Sequence, residues 1–170
     1  MILDSFKSID RFFKAKSVVF IGGKDILVPI RELKRRGYKG EIFVVNPTRN
    51  KIDNYKCLQK VSDLMVSPDA AFIAVPAKEV ISTVRALKAI KCKGIVCYSA
   101  GFKEIGKTGK YLEDRLIKEC GDTPLIGPNC YGFINFSDNI ALWPFSHKGK
   151  RCKKGIALIT QSGMLSSDII

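Results

Sequence analysis

Residues 17–36 read SVVFIGGKDILVPIRELKRR, and this stretch decides the fold. Ser17–Ile21 is a short apolar run rich in β-branched residues, with no polar alternation, the pattern of a strand buried on both faces. Gly22-Gly23-Lys24-Asp25 interrupts it, and Leu27–Arg36 continues with apolar residues at helical spacing. Strand, glycine turn and helix in that order open a βαβ unit.

The same alternation extends outward. Apolar runs recur at Glu41–Val45, Ala70–Val75, Gly94–Tyr98, Pro124–Ile126 and Gly155–Thr160. Helical patterns fill the gaps at Lys78–Ile90 and Gly109–Glu119, with a short one near Val61–Met65. Right-handed crossovers then impose a parallel sheet. The expected fold is α/β, a Rossmann-type doubly wound parallel sheet over about residues 17–135. Before it, residues 1–16 carry Ile2, Leu3, Phe6, Ile9, Phe12 and Phe13 at helical spacing, an amphipathic docking helix. Residues 136–154 break the pattern with Trp143-Pro144, His147 and a cluster of basic residues, and read as a surface connector. Residues 155–170 supply a strand, a Gln161-Ser162-Gly163 turn and an apolar stretch, the C-terminal stub of a second, incomplete domain.

Composition bounds the function. The chain has 170 residues and a formal net charge of +13. Such a balance favours a polyanionic partner: nucleic acid, phospholipid or a phosphate-bearing cofactor. The basic residues are spread over loops and helices, and the aromatic ones lie in apolar runs, which disfavours nucleic acid. No apolar run approaches the roughly 20 residues of a membrane span. Six cysteines lie at Cys57, Cys92, Cys97, Cys120, Cys130 and Cys152, with no C-x-x-C pair and a single histidine, His147. A structural zinc site is not expected from that set, and scattered unpaired cysteines fit a reducing, cytoplasmic setting.

In an open parallel sheet the ligand lies beyond the carboxyl ends of the strands, where the strand order reverses. After the first run, Gly22 and Gly23 allow backbone N–H groups to approach a phosphate, and Lys24 adds charge. The spacing departs from G-x-G-x-x-G, because Lys24 and Leu27 stand at the second and third glycine positions. After the second run, Asn46-Pro47-Thr48-Arg49 replaces the acidic residue that holds an NAD ribose, and Arg49 and Lys51 suit a ligand with an extra ribose phosphate. Val75 and Pro76 follow the third run, Pro76 opening a helix. Ser99, Ala100 and Gly101 follow the fourth and leave room for a ligand chain. Gly127-Pro128-Asn129 follows the fifth and aims an amide at the strand ends. Cys130 lacks a neighbouring histidine to activate it as a nucleophile.

This ordered set resembles the coenzyme A-binding domain of NDP-forming acyl-CoA synthetases, relatives of the succinyl-CoA synthetase alpha subunit. The matching pieces are IGG (21–23), VVNPTR (44–49), AAFIAVPA (70–77), CYSAGFKEIGKTG (97–109), LIGPNCYGFIN (125–135), ALWPFSH (141–147) and GIALITQSG (155–163). GPNCYGF followed by ITQSG is the specific part. The resemblance implies that Gly22, Gly23 and Lys24 contact the ADP part of coenzyme A, that Arg49 meets the ribose phosphate, that pantetheine runs along Tyr98, Ser99 and Ala100, and that Gly127, Pro128 and Asn129 form the GPN turn. The glycine loop is shorter than the family's, with Ile26-Leu27-Val28 following Asp25. The family's phosphohistidine lies in the domain that opens at the QSG strand, and His147 precedes that strand.

The expected function is binding of coenzyme A or acyl-CoA as the N-terminal module of such a synthetase. ATP and magnesium enter only in the complete enzyme, and this chain alone is expected not to ligate. The expected partners are the remaining ligase domains, in cis or in trans, or a second copy paired through the stub. Three other readings stay open. One is a coenzyme A- or nucleotide-sensing module attached to another domain such as an acetyltransferase. Another is an NADP-dependent oxidoreductase, which lacks a Tyr-x-x-x-Lys arrangement here. The third is a nucleic-acid binder.

Overall fold

The computed structural model describes residues 2–169. Met1 and Ile170, at the outer ends of the expected docking helix and stub, lie outside the described residues, as do the side chains of Ile2, Leu3 and Phe6. The chain forms helix α1 (Ile2–Phe13), strand β1 (Ser17–Gly22), helix α2 (Leu27–Arg35), strands β2 (Glu41–Val45), β3 (Lys51–Ile52), β4 (Tyr55–Leu58) and β5 (Ala70–Ala74), helix α3 (Ala77–Ala89), strand β6 (Ile95–Cys97), helix α4 (Lys107–Cys120), strands β7 (Leu125–Ile126), β8 (Phe133–Asn135) and β9 (Ile140–Leu142), and helix α5 (Gly163–Ile169).

Seven strands make one sheet in the order β3-β4-β2-β1-β5-β6-β7. All neighbours are parallel except β3, which turns back on β4 through Asp53-Asn54. Leaving β3 aside, the order is that of the Rossmann fold, and the direction of winding reverses between β1 and β5. The period of two sends β1 side chains to two cores. Val19 and Ile21 pack with Val80, Val84 and Leu87 of α3 and Leu116 of α4. Val18 and Phe20 pack with Ile30 and Leu33 of α2, Phe12 of α1, and Ile140 and Leu142 of β9. Burial on both faces is why the run is apolar at every position.

Two local devices fix the frame around the site. Helix α2 stops at Gly37, whose φ of +78° lets Tyr38 N–H reach the Leu33 carbonyl at 3.3 Å and Gly37 N–H the Lys34 carbonyl at 2.8 Å, a Schellman turn. At the opposite end of the sheet, buried Asp69 accepts from the Arg11 guanidinium, from Lys16 N–H at 3.0 Å and from the Ser17 hydroxyl at 3.3 Å, tying α1 beneath β1 and β5.

The structure corrects three expectations. Residues 155–160 form no strand and lie exposed but for the half-buried Thr160, because no neighbouring strand offers hydrogen bonds. The segment near Val61–Met65 is only a single 3-10 turn, Val61–Asp63. Residues 136–154 do not simply cross the surface: Ile140–Leu142 pair with Phe133–Asn135, Ile140 and Leu142 pack into the core on the α2 side of the sheet, and Ala141 and Trp143 are buried as well.

Candidate functional site

The reversal of winding leaves a cleft beyond the carboxyl ends of β1, β5 and β6. It encloses about 510 Å³ and is lined by Asp25, Ala74, Val75, Pro76, Tyr98, Ser99, Ala100, Asn129 and Tyr131. They come from the end of β5 and the turns after β1, β5, β6 and β7, so the sheet order gathers residues distant in sequence.

The first turn is built by two glycines with different tasks. Gly22 sits at φ +155° opposite Ala74, and a Cβ there would meet the Ala74 carbonyl oxygen at 2.4 Å. Its bareness lets β1 and β5 approach. Gly23 has nothing within 4 Å of an added Cβ, so its backbone faces open space. Lys24 is exposed, and the chain passes through the 3-10 turn Lys24–Ile26 directly into α2. Neither α2 nor α3 carries a side-chain cap at its N-terminus, although Leu27 N–H already bonds the Lys24 carbonyl and Glu79 N–H the Pro76 carbonyl.

Asn46 organises the second turn. It is 7% exposed. Its amide donates to the Gly22 carbonyl at 2.9 Å, and its Oδ1 accepts from Thr48 N–H at 3.0 Å, the Thr48 hydroxyl at 3.1 Å and Arg49 N–H at 2.8 Å. The glycine turn and the basic loop are therefore one rigid unit. Pro47, Arg49 and Lys51 are exposed on it, and no ion pair engages Arg49 among the described residues.

On the other side, Ser99 is buried and its hydroxyl accepts Val75 N–H at 3.1 Å, while its carbonyl accepts Asn129 N–H at 2.9 Å. Ser99 thus stitches the turns after β5, β6 and β7 together, and its hydroxyl is engaged within the protein. Ala100 is exposed. Gly101, at φ +103°, donates its N–H to Glu104 at 2.6 Å. Partial burial would raise the Glu104 carboxyl, but the N–H groups of Gly101, Glu104 and Phe102 outweigh it and hold it below its ordinary range. Tyr98 stacks on Phe72 at 5.8 Å, and burial, helped by the Asp25 charge, pushes its phenol up. Burial pushes the Cys130 thiol up to about 11, so it stays protonated at neutral pH and is no nucleophile.

Of the residues expected from the sequence, Val75, Pro76, Tyr98, Ser99, Ala100 and Asn129 line the cleft. Gly22, Gly23, Lys24, Asn46, Pro47, Arg49 and Gly101 do not line it: the first six form its basic shoulder beyond β1 and β2, and Gly101 shapes the turn behind Ala100. Asp25, Ala74 and Tyr131 line the cleft and escaped the sequence reading. Asp25 follows Lys24 directly and Tyr131 lies two places beyond Asn129, so their neighbours carried the signal. A second hollow, at the other end of the sheet, is lined by Asp10, Arg11, Lys14, Lys16 and Asp69, whose charges largely pair with one another.

These residues fit a ligand with phosphates at one end and an uncharged chain at the other. The open face of Gly23 and the exposed Lys24 and Arg49 suit the phosphates, and the small, uncharged surface at Val75, Ala100 and Asn129 suits the chain.

Comparison with known proteins agrees with that shape. The CoA binding domain family matches residues 28–135. The chain is 35% identical over 164 residues to acetate–CoA ligase [ADP-forming] II of Archaeoglobus fulgidus, covering 89% of this chain and 24% of the relative. It is 29% identical over 174 residues to the alpha subunit of acetate–CoA ligase [ADP-forming] II of Pyrococcus furiosus, covering 95% of this chain and 36% of that subunit. Among solved structures, the apo form of dinucleotide forming acetyl-coenzyme A synthetase 1 of Ca. Korarchaeum cryptofilum superposes with a TM-score of 0.80 at 25% identity, over 95% of this chain and 36% of that one. The chain thus spans about a quarter to a third of the length of these relatives.

Proposed function

The chain belongs to the CoA binding domain family, and from that premise we propose that its cleft holds coenzyme A or an acyl-CoA, as the N-terminal module of an NDP-forming acyl-CoA synthetase. The observation that carries the reading is the polarity of the site. The cations Lys24 and Arg49 are exposed at the β1–β2 shoulder with no ion pair among the described residues, and the lining of the cleft beyond β5 and β6 is uncharged apart from Asp25. The diphosphate seats on the Gly23 turn and the N-terminus of α2, the 3′-phosphate meets Arg49, and pantetheine runs past Val75, Tyr98 and Ala100. In the complete enzyme the remaining ligase domains, in cis or in trans, convert acid, ATP and coenzyme A to acyl-CoA, ADP and phosphate.

The residues of this chain position the ligand and perform no bond chemistry. Asn46 holds the two phosphate-facing turns at a fixed separation, and Ser99 holds the three chain-facing turns. Backbone amide shifts recorded while coenzyme A is added test the placement. The expected perturbations centre on Gly23, Lys24, Val75, Ala100 and Asn129. Shifts confined to the hollow at Lys14 and Lys16, or none at all, would overturn it.

A further inference from the structure

We propose that the end of the sheet opposite the cleft binds the phosphate backbone of duplex nucleic acid, through a basic face that the fold gathers from segments apart in sequence. Its centre is the segment after β9. Residues 148–154 read KGKRCKK, and Lys148, Lys150, Arg151, Lys153 and Lys154 are all exposed. In sequence this run stands alone. In the structure it lies against the C-terminal end of α2, which adds Lys34, Arg35 and Arg36. Arg36 Nη1 donates to the Gly149 carbonyl at 2.7 Å, Arg151 Nε to the Ser137 carbonyl at 3.2 Å, and Cys152 N–H to the Phe136 carbonyl at 3.3 Å. The turn from α2 into β2 brings the exposed Lys39, and Glu41 N–H bonds the Lys16 carbonyl at 2.9 Å, so Lys16 borders the same face.

Few carboxylates answer these charges. Glu32 is buried and pairs with Arg35 at 2.7 Å. Glu41 and Asp138 border the face, and Asp138 already accepts from the Asn135 amide at 2.8 Å. Among the described residues, no ion pair engages Lys16, Lys34, Lys39 or the five cations of 148–154. Like charges held together repel, so the arrangement opposes folding until an anion answers it. A small anion engages one or two such cations, whereas a face of this extent calls for a polyanion. A single strand would need rings on which its bases stack. Phe136 is half-buried, with the Arg36 guanidinium 4.9 Å from its centroid and the His147 ring edge-on at 6.1 Å, and Tyr55 is covered by Lys34 at 4.7 Å. A bilayer attracts a basic segment through a diffuse surface potential and asks for no fixed spacing, but this segment is pinned at three points. Fixed cations without a stacking surface suit a duplex, which carries about one negative charge per 1.7 Å of its axis.

Fluorescence anisotropy of a mixed-sequence DNA duplex, titrated with the full chain across a salt series, tests the assignment; it does not depend on the coenzyme A reading. The slope of log affinity against log salt is expected to be about −4 to −5, for about five phosphate contacts. Combining Lys150→Ala, Lys153→Ala and Lys154→Ala should bring the slope to about −2 and weaken low-salt binding at least tenfold. The melting temperature should not move, because these side chains are exposed. Arg49→Ala and an excess of coenzyme A should leave duplex binding unchanged, because the cleft lies at the other end of the sheet. No duplex binding at low salt, binding that survives the triple substitution, or displacement by coenzyme A would overturn the proposal. Retention by phosphatidylserine vesicles, lost in the triple variant, with no duplex binding would assign the face to a membrane surface instead.

Discussion

The side-chain amide of Asn46 donates to the carbonyl of Gly22 at 2.9 Å, joining the end of β2 to the end of β1. The same side chain's oxygen collects the N–H groups of Thr48 and Arg49. One buried amide therefore sets the spacing between the glycine turn and the exposed Arg49. Asn46→Ala removes these bonds from a buried site and leaves the Gly22 carbonyl unpaired. It is expected to lower unfolding stability by about 1–3 kcal/mol, read by urea denaturation, and to weaken coenzyme A binding through loss of order in 47–50. A variant as stable as the parent would show that the bond is dispensable.

Gly22 and Gly23 are neighbours with separable roles. Gly22→Ala drives a methyl group against the Ala74 carbonyl, 2.4 Å away, and should destabilise the domain by about 1–3 kcal/mol, as overpacking does. Gly23→Ala projects into open space, so its melting temperature should stay near the parent's while the methyl group occupies room meant for the diphosphate. Thermal melts beside coenzyme A titrations separate the two. Gly23→Ala with unaltered affinity would contradict the placement of the phosphates.

A strap at residues 146–149 is tied to the end of α2. Buried Glu32 accepts from the Ser146 hydroxyl at 3.0 Å, Arg36 donates to the Gly149 carbonyl at 2.7 Å, and Arg35 donates to the His147 carbonyl. The His147 imidazole is 6% exposed, and neither ring nitrogen has a partner among the described residues. Burial, with the Arg36 charge beside it, pushes its pKa below the ordinary 6.5. The unfolded chain then takes up a proton that the folded chain refuses, so stability falls as pH drops below 6.5 and levels off beneath the lowered folded value. Glu32 adds to this at lower pH: burial would raise its carboxyl, but bonds from Arg35, Ser146 and His147 N–H outweigh that and hold it below 4.5, so its contribution is lost as pH falls through the folded value. Urea midpoints at pH 7.5 and 5.5 should differ in the parent, and the difference should shrink by at least half in His147→Gln. An unchanged difference would assign the acid sensitivity elsewhere.

The C-terminal segment contributes little to either core. Ile156 and Ile159 are 97% and 96% exposed, and residues 155–160 have no strand partner. Deleting residues 155–170 should leave the melting temperature nearly unchanged and reduce self-association measured by sedimentation, because exposed apolar residues and unpaired backbone groups are removed together. A large fall in melting temperature would show that the contact of Gly163 with Tyr131 holds the domain together.

How far the sequence reveals this molecule follows from what each element buries. β1, β2, β5 and β6 are legible because double-sided burial writes them as unbroken apolar runs. The hairpins β3–β4 and β8–β9 were not, because Lys51-Ile52 is too short for any period and Phe133–Asn135 and Ile140–Leu142 are three residues each. The run at 155–160 misled, since its apolar residues pair with no strand and stay exposed. The cleft was legible through the rule that ligands gather at strand ends. Tyr131 was not, because its position depends on how the turn after β7 packs against Trp143 and Phe145, a contact between segments that sequence spacing does not encode.

The central claim is that the cleft recognises coenzyme A with its 3′-phosphate at Arg49. The most direct test is calorimetric titration of the purified chain with coenzyme A, dephospho-coenzyme A, NADP and NAD, repeated with Arg49→Ala. The account predicts that coenzyme A binds most tightly, ahead of dephospho-coenzyme A by about 1–2 kcal/mol, the range for one charge-assisted contact at an exposed site, and that Arg49→Ala erases most of that gap. Equal affinities for coenzyme A and dephospho-coenzyme A in the parent chain, or tighter binding of NADP or NAD, would contradict it.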